Sequence, residues 1–100
     1  MKFLVTGTQI TPATDFQTQI SYLEESKKWV HKGLKNKTLD NAFSFPNGGG
    51  LFILEAESNE ELMERLLSFP LRHLSHFDIQ PLADFEDATN MVIASLLNYA

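Results

Sequence analysis
The sequence predicts an α+β domain: a four-stranded antiparallel sheet, two crossover helices on one face, and a third helix at the C-terminal end. Three observations predict it. The stretch from Gly48 to Leu82 reads strand, helix, strand: the apolar run Leu51 to Leu54, then the helix-start signature Ser58-x-x-Glu61, then an alternating segment around Phe77 and Ile79. A strand and a longer helical pattern precede it. Between the halves, Pro46-Asn47-Gly48-Gly49-Gly50 is strong hairpin chemistry.

Taken in order, Lys2 to Ile10 is the first strand, because Phe3, Leu4 and Val5 are consecutive apolar residues and Thr6 and Thr8 favour extended backbone. Thr11-Pro12 closes it. A helix starts near Thr14 or Asp15, either of which can cap it, and Phe16, Ile20, Leu23, Val30 and Leu34 recur at spacings of three and four, interrupted by Lys27. Gly33 and Asn36 are its expected stopping residues, since both tolerate left-handed backbone. Tyr22 and Trp29 form a second, narrower strip turned away from that stripe. They read either as scattered surface aromatics or as a contact with the last helix or another subunit.

The second strand runs from about Lys37 to Phe45, with Leu39, Phe43 and Phe45 on one face and Asp40, Ala42 and Ser44 on the other. After the glycine hairpin, Leu51 to Leu54 has no alternation, as expected of a strand buried on both faces. The Ser58 hydroxyl is expected to accept the N–H of Glu61, whose carboxylate returns to the N–H of Ser58. Leu62, Met63, Leu66, Leu67 and Phe69 make the broad apolar face of that helix, and Pro70 stops it. In the last strand Phe77 and Ile79 alternate with Asp78 and Gln80 until Pro81 ends it. Asp84 caps a terminal helix over residues 85–98, where Glu86 and Asp87 sit near the positive end of its dipole.

This β-α-β-β-α-β order is the ferredoxin-like arrangement, with the terminal helix an addition. Two helices cover one face of such a sheet, yet the first and third strands are apolar on both sides. The other face therefore needs cover, and a second copy is the economical one, so a homo-oligomer through the open sheet face is expected.

A chain of 100 residues predicts one domain spanning 1–100, since single cores organise about 100–150 residues. Eight Lys and Arg against 13 Asp and Glu give a net charge of -5, which offers no cationic footprint for phosphates and argues against nucleic acid. The absence of cysteine removes thiolate nucleophiles, disulfides and thiolate metal sites. No stretch approaches the roughly 20 apolar residues of a membrane span, and the start MKFLVTGTQI lacks the apolar core of a signal peptide. A cytoplasmic protein with no membrane partner is the expectation.

The Gly48–Leu82 stretch resembles the muconolactone isomerase-like and YCII-like members of the dimeric α+β barrel superfamily, and the resemblance extends over most of the first 85 residues. It is carried by Gly33-Leu34, Ile53-Leu54-Glu55-Ala56, Ser58-Asn59-Glu60-Glu61-Leu62, Phe69-Pro70-Leu71 and Phe77-Asp78-Ile79-Gln80-Pro81-Leu82. It implies face-to-face dimers, sometimes built into rings. Of the isomerases it implies proton transfer beside a lactone carbonyl, moving a double bond with no cofactor and no metal. The second strand departs from that pattern, lacking the His- and Trp-rich character of those isomerases, and the hairpin is longer and richer in glycine.

Candidate catalytic residues are Glu24, Lys27, His31 and Asp40. Glu24, Lys27 and His31 stand three and four apart along one edge of the first helix, so they can share one pocket. Lys27 is the informative member, because a lysine inside an apolar stripe either snorkels to water or aims its ammonium into a polar cavity. In a proton-transfer site His31 or Glu24 is the base and Lys27 stabilises the developing enolate on a small organic acid or lactone. The same three residues also fit solvated ion pairs. Asp40, on the side of Ser44, is the expected orienting partner of His31, a pairing the likeness to YCII-like domains also implies.

Other motifs carry less. His73 and His76 lack a third metal ligand, and together with His31 they are the available axial ligands for a haem-handling alternative. The glycine run lacks the lysine and following helix of a phosphate loop, and no serine sits in a G-x-S-x-G elbow. A noncatalytic oligomeric or small-ligand-binding module is the competing class.

Overall fold
The computed structural model describes residues 1–10 and 15–99. The strand closure expected at Thr11-Pro12 and the alternative cap Thr14 lie outside the described residues. Among the described residues the elements are β1 (Lys2–Gln9), α1 (Phe16–Asn36), β2 (Leu39–Ser44), β3 (Gly50–Glu55), α2 (Asn59–Leu67), β4 (Ser75–Leu82) and α3 (Phe85–Leu97), with a 3₁₀ turn, Arg72–Leu74, before β4. The strands form one antiparallel sheet in the order β2-β3-β1-β4, the ferredoxin-like order.

Register divides the side chains of the sheet into two faces. Phe3↔Leu54 and Val5↔Phe52 lie on the helix side, while Leu4↔Ile53 and Thr6↔Leu51 lie on the other. The packed core, Phe3, Val5, Leu39, Leu54, Ala56, Leu62 and Leu66, therefore belongs to the helix side, with α2 contributing Leu62 and Leu66. Met63 and Leu67 of α2 are exposed, so its buried stripe is narrower than expected.

Local chemistry starts and stops the helices. Asp15 accepts the N–H of Thr18 at 2.7 Å, Ser58 accepts that of Glu61 at 3.1 Å, and Asp84 accepts that of Asp87 at 3.0 Å. The Glu61 carboxylate accepts the N–H of Glu57 at 3.3 Å rather than that of Ser58, and its other oxygen pairs with Arg65. The first helix does not stop at Gly33. Gly33 is buried inside it, and a Cβ there would lie 2.7 Å from Leu39 Cδ1, so the glycine lets α1 and β2 meet closely. Lys37 takes the left-handed cap at φ 65°, and the Asn36 side chain ties down the N–H of Thr38 at 3.1 Å.

Two strand expectations change. A register shift between Leu39 and Asn41 puts a bulge at Asp40, so Leu39 pairs with Leu54 on the helix side whereas Phe43 pairs with Leu51 on the other face. Leu39 and Phe43 thus part company. Pro81 does not end β4, which runs on to Leu82; β4 is an edge strand, where a residue lacking an N–H is tolerated.

The larger surprise is the rotation of α1. Its buried side carries Tyr22, Ser26, Trp29, Val30 and Gly33, about a quarter turn from the Phe16–Leu34 stripe, of which Phe16, Ile20, Leu23 and Leu34 are exposed. Trp29 packs on Phe52 and Phe69 with ring centroids 5.2 and 5.0 Å away, and its indole N–H reaches Ser68 Oγ at 2.9 Å. Tyr22 meets His73 edge-on at 5.4 Å. Larger rings with a polar handle and a partner for it outcompete the aliphatic stripe for the sheet.

Candidate functional site
The rotation leaves a cavity of about 430 Å³ under the middle of α1. At the C-terminal end of the helix, Gly33 seats the chain against Leu39. Towards its N-terminus, the Gln9 and Gln19 side-chain amides meet at 3.4 Å. Between those two ties, Leu23, Ser26, Lys27, Val30 and His31 of α1 face the strands across open space.

Aromatic rings form much of the opposing wall. Phe52 comes from β3, Phe77 from β4 and Phe69 from the turn after α2; Phe69 stands 5.1 Å from Phe52 and 6.1 Å from Phe77, centroid to centroid. Gly7 is matched to Phe77, whose ring comes within 3.1 Å of where a Cβ would be, so the small residue of β1 admits the ring. Polar lining comes from Gln9, Ser26, Lys27, His31, Ser44 and Ser75. No acidic residue is among the described lining residues, although the chain holds 13.

The four sequence candidates separate. Lys27 and His31, one helical turn apart, both line the cavity. Lys27 lies at the rim, 63% exposed, with its ammonium 3.4 Å from Glu24 Oε2 on the solvent side. Glu24 does not line the cavity and reaches it only through that exposed pair. Asp40 is elsewhere. The bulge turns it away from α1, and its carboxylate pairs with Lys2, which also lies 3.3 Å from Glu55. The expected His31–Asp40 pairing is therefore not made.

That second cluster has its own electrostatics. Hydrogen bonds to Asp40 and then to Glu55 hold the Lys2 ammonium above its ordinary value, and the N-terminal amine and Lys2 hold the Glu55 carboxyl below its own. These are exposed ion pairs on the far face of the sheet, remote from the cavity in orientation.

The two histidines outside the cavity are engaged separately, His73 against Tyr22 and His76 Nε2 3.2 Å from Asp78. Among the described residues no group of three or more His, Cys, Asp or Glu could hold a metal.

The residue that sequence reasoning missed is Ser26. It lines the cavity, and its Oγ is shielded from solvent with no hydrogen-bond partner among the described residues. Its position was nevertheless legible: Ser26 falls four after Tyr22 and three before Trp29, on the same side of the helix as the aromatic strip. Taking that strip as the inward face would have found it.

Comparisons with known proteins agree on architecture. The structure of muconolactone isomerase matches with a TM-score of 0.77 at 17% identity, over 84% of this chain and 90% of that one. The 5-chloro-2-hydroxyhydroquinone dehydrochlorinase TftG from Burkholderia phenoliruptrix AC1100, in complex with 2,5-dihydroxybenzoquinone, matches with a TM-score of 0.68 at 14% identity, over 87% and 98%. The fold is thus the one expected from the resemblance to muconolactone isomerase-like α+β barrels. No curated protein sequence matches. A family described as a domain of unknown function, DUF3303, matches residues 1–96.

Proposed function
The chain belongs to the DUF3303 family of domains of unknown function, and from that premise we propose that it binds a small organic acid or lactone beneath α1 and moves a proton on it without a cofactor. One observation carries the reading: two basic side chains, Lys27 and His31, stand on an aromatic cavity with no acidic lining residue, in a chain of net charge -5. The volume of about 430 Å³ falls within the range of small-molecule sites.

The chemistry follows from these residue types. The apolar body of the ligand lies against Phe52, Phe69 and Phe77, and Lys27 meets its anionic oxygen. The His31 imidazole takes a proton from the carbon beside the carbonyl, and the electron pair moves onto the carbonyl oxygen, where the Lys27 ammonium stabilises the enolate. The imidazolium then returns the proton to the far end of the conjugated system. The double bond has moved, with no net gain or loss of atoms or electrons. Glu24 steadies Lys27 from the solvent side, and Asp40 has no part in this scheme.

The isomerase and dehydrochlorinase of like fold make such chemistry a fold-level analogy at 17% and 14% identity. The reading includes self-association through the sheet face opposite the helices, where Leu4, Leu51, Ile53 and Phe43 stand. A second reading, a noncatalytic ligand-binding module, is favoured by the 63% exposure of Lys27, because a charge open to water gains little electrostatic leverage on an enolate.

Proton exchange in deuterated buffer, followed by NMR over a panel of unsaturated lactones and keto acids, separates the two. The isomerase reading expects deuterium beside a carbonyl, slowed about 10²-fold or more in Lys27→Ala and in His31→Gln. Binding without exchange across the panel would leave the module.

A further inference from the structure
We infer that α3 is an exchanged arm: it lies antiparallel along the exposed stripe of α1 in a second copy of this chain and roofs the cavity there. The docking does not depend on the acid-binding reading, although it completes the same site. The first observation is that α3 stands clear of its own domain. It has no buried residue, and Phe85, Val92 and Leu96, which recur on one side of it, are open to solvent on a molecule 62 Å long. Only Ala83 and Asp84 join it to β4, an edge strand. Its own α1 is seated through Gly33 and Leu39 on β2, the opposite edge of the sheet. A second copy is the partner that can bring an α1 stripe to it, and a two-fold dimer makes the contact twice.

The second observation is complementarity along the two helices. On α1, Phe16, Ile20 and Leu23 expose an apolar stripe, and from Lys27 onward the helix carries four lysines and no acid. The first turn of α3 carries Glu86 and Asp87, and the helix has no Lys or Arg. Lys35, Glu86 and Asp87 make no salt bridge among the described residues, and the exposed Lys28–Glu25 pair at 3.4 Å is a weak one. Each set of charges suits its own helix dipole, and the antiparallel direction is the one that also brings the two sets together. Lengths agree as well: Phe16 to Lys28 and Phe85 to Leu97 each span about 18 Å of helix. With the acids against Lys28 and Lys35, Leu96 and Leu97 reach Phe16 and Ile20. Leu23 and Lys27 belong both to this stripe and to the cavity lining, so a helix laid along it covers the opening. In the acid-binding reading this gives the Lys27 ammonium the leverage that its exposure denies it in the single chain.

The chain has no cysteine, so introduced thiols report single contacts. The test treats equal mixtures of single-cysteine variants with a short bismaleimide: Phe16→Cys with Leu97→Cys, and Phe43→Cys with Leu97→Cys as the sheet-face control, all at exposed positions. The expected result is a linked pair of chains from the first mixture, well above the control and above either variant alone. Linking in the Phe43 mixture instead would seat α3 on the open sheet face and overturn the inference. An intrachain link in Phe16→Cys/Leu97→Cys, running as a monomer, would seat α3 on its own α1 and overturn the exchange, as would no link in any mixture. By light scattering, Glu86→Lys/Asp87→Lys should weaken the assembly about tenfold or more, and adding Lys28→Glu/Lys35→Glu should restore it. Weakening without restoration, or no weakening, overturns the charge pairing and with it the antiparallel seat. Neither readout involves a ligand, so failure of the acid-binding reading leaves the exchange standing.

Discussion
Asp15 starts α1 by accepting the N–H of Thr18, and the same bond, made to the charged form, holds its carboxyl below the ordinary value. The folded state then binds that proton less tightly than the unfolded chain does. The cap's contribution is therefore complete above the ordinary carboxylate value and is lost as pH falls through the depressed folded one. Urea midpoints measured from pH 7 down to pH 2 should fall less steeply in Asp15→Ser, which keeps a capping oxygen without the charge, than in the wild type. Such caps are legible in sequence because the partners lie three residues apart. Asp40 was not, because its partner Lys2 lies 38 residues away and the bulge that turns it exists only in the paired strands. The site candidates divide on the same line: Lys27 and His31 share the cavity through helical spacing alone, whereas Ser26 required knowledge of which face of α1 meets the sheet.

Among the elements, the β2–β3 hairpin depends on glycine at its turn. Gly48 and Gly49 have φ of 107° and 81°, and the Phe45 N–H closes on the Gly49 carbonyl at 2.8 Å. At Gly48 an added Cβ meets nothing within 4 Å, but at Gly49 it would sit 2.3 Å from the Gly7 carbonyl oxygen of β1. Gly48→Ala should therefore cost about 1–2 kcal/mol of backbone strain. Gly49→Ala should cost roughly 1 kcal/mol more, since the hairpin must also move off β1. Comparing the two urea midpoints checks both the strain and the contact. The turn itself was plain from Pro-Asn-Gly; that Gly49 also lies against a third strand was not, because Gly7 of β1 is more than forty residues upstream.

For the whole molecule, the radius of gyration is 16.9 Å, against about 13 Å for a compact domain of this length, and the long axis measures 62 Å against 28 and 23 Å. The helix α3 has no buried residue and exposes Phe85, Met91, Leu96 and Leu97, among others. So much apolar surface in one small chain is what self-association would cover. Light scattering should give a mass of at least two chains, and Ile53→Glu, on the open sheet face, should weaken the assembly about 10²-fold or more by burying an unpaired charge. A monomeric wild type at high concentration would refute the self-association. The sequence by itself determined the order of elements, the caps and the hairpin, because each rests on residues within a few positions of one another. Only the tertiary structure decided which side of α1 faces inward, where β2 bulges and which polar groups line the cavity. Those outcomes depend on partners distant in the chain, Ser68 and Phe52 for Trp29, Leu54 for Leu39 and Lys2 for Asp40, and no local pattern encodes a choice among surfaces of similar hydrophobicity.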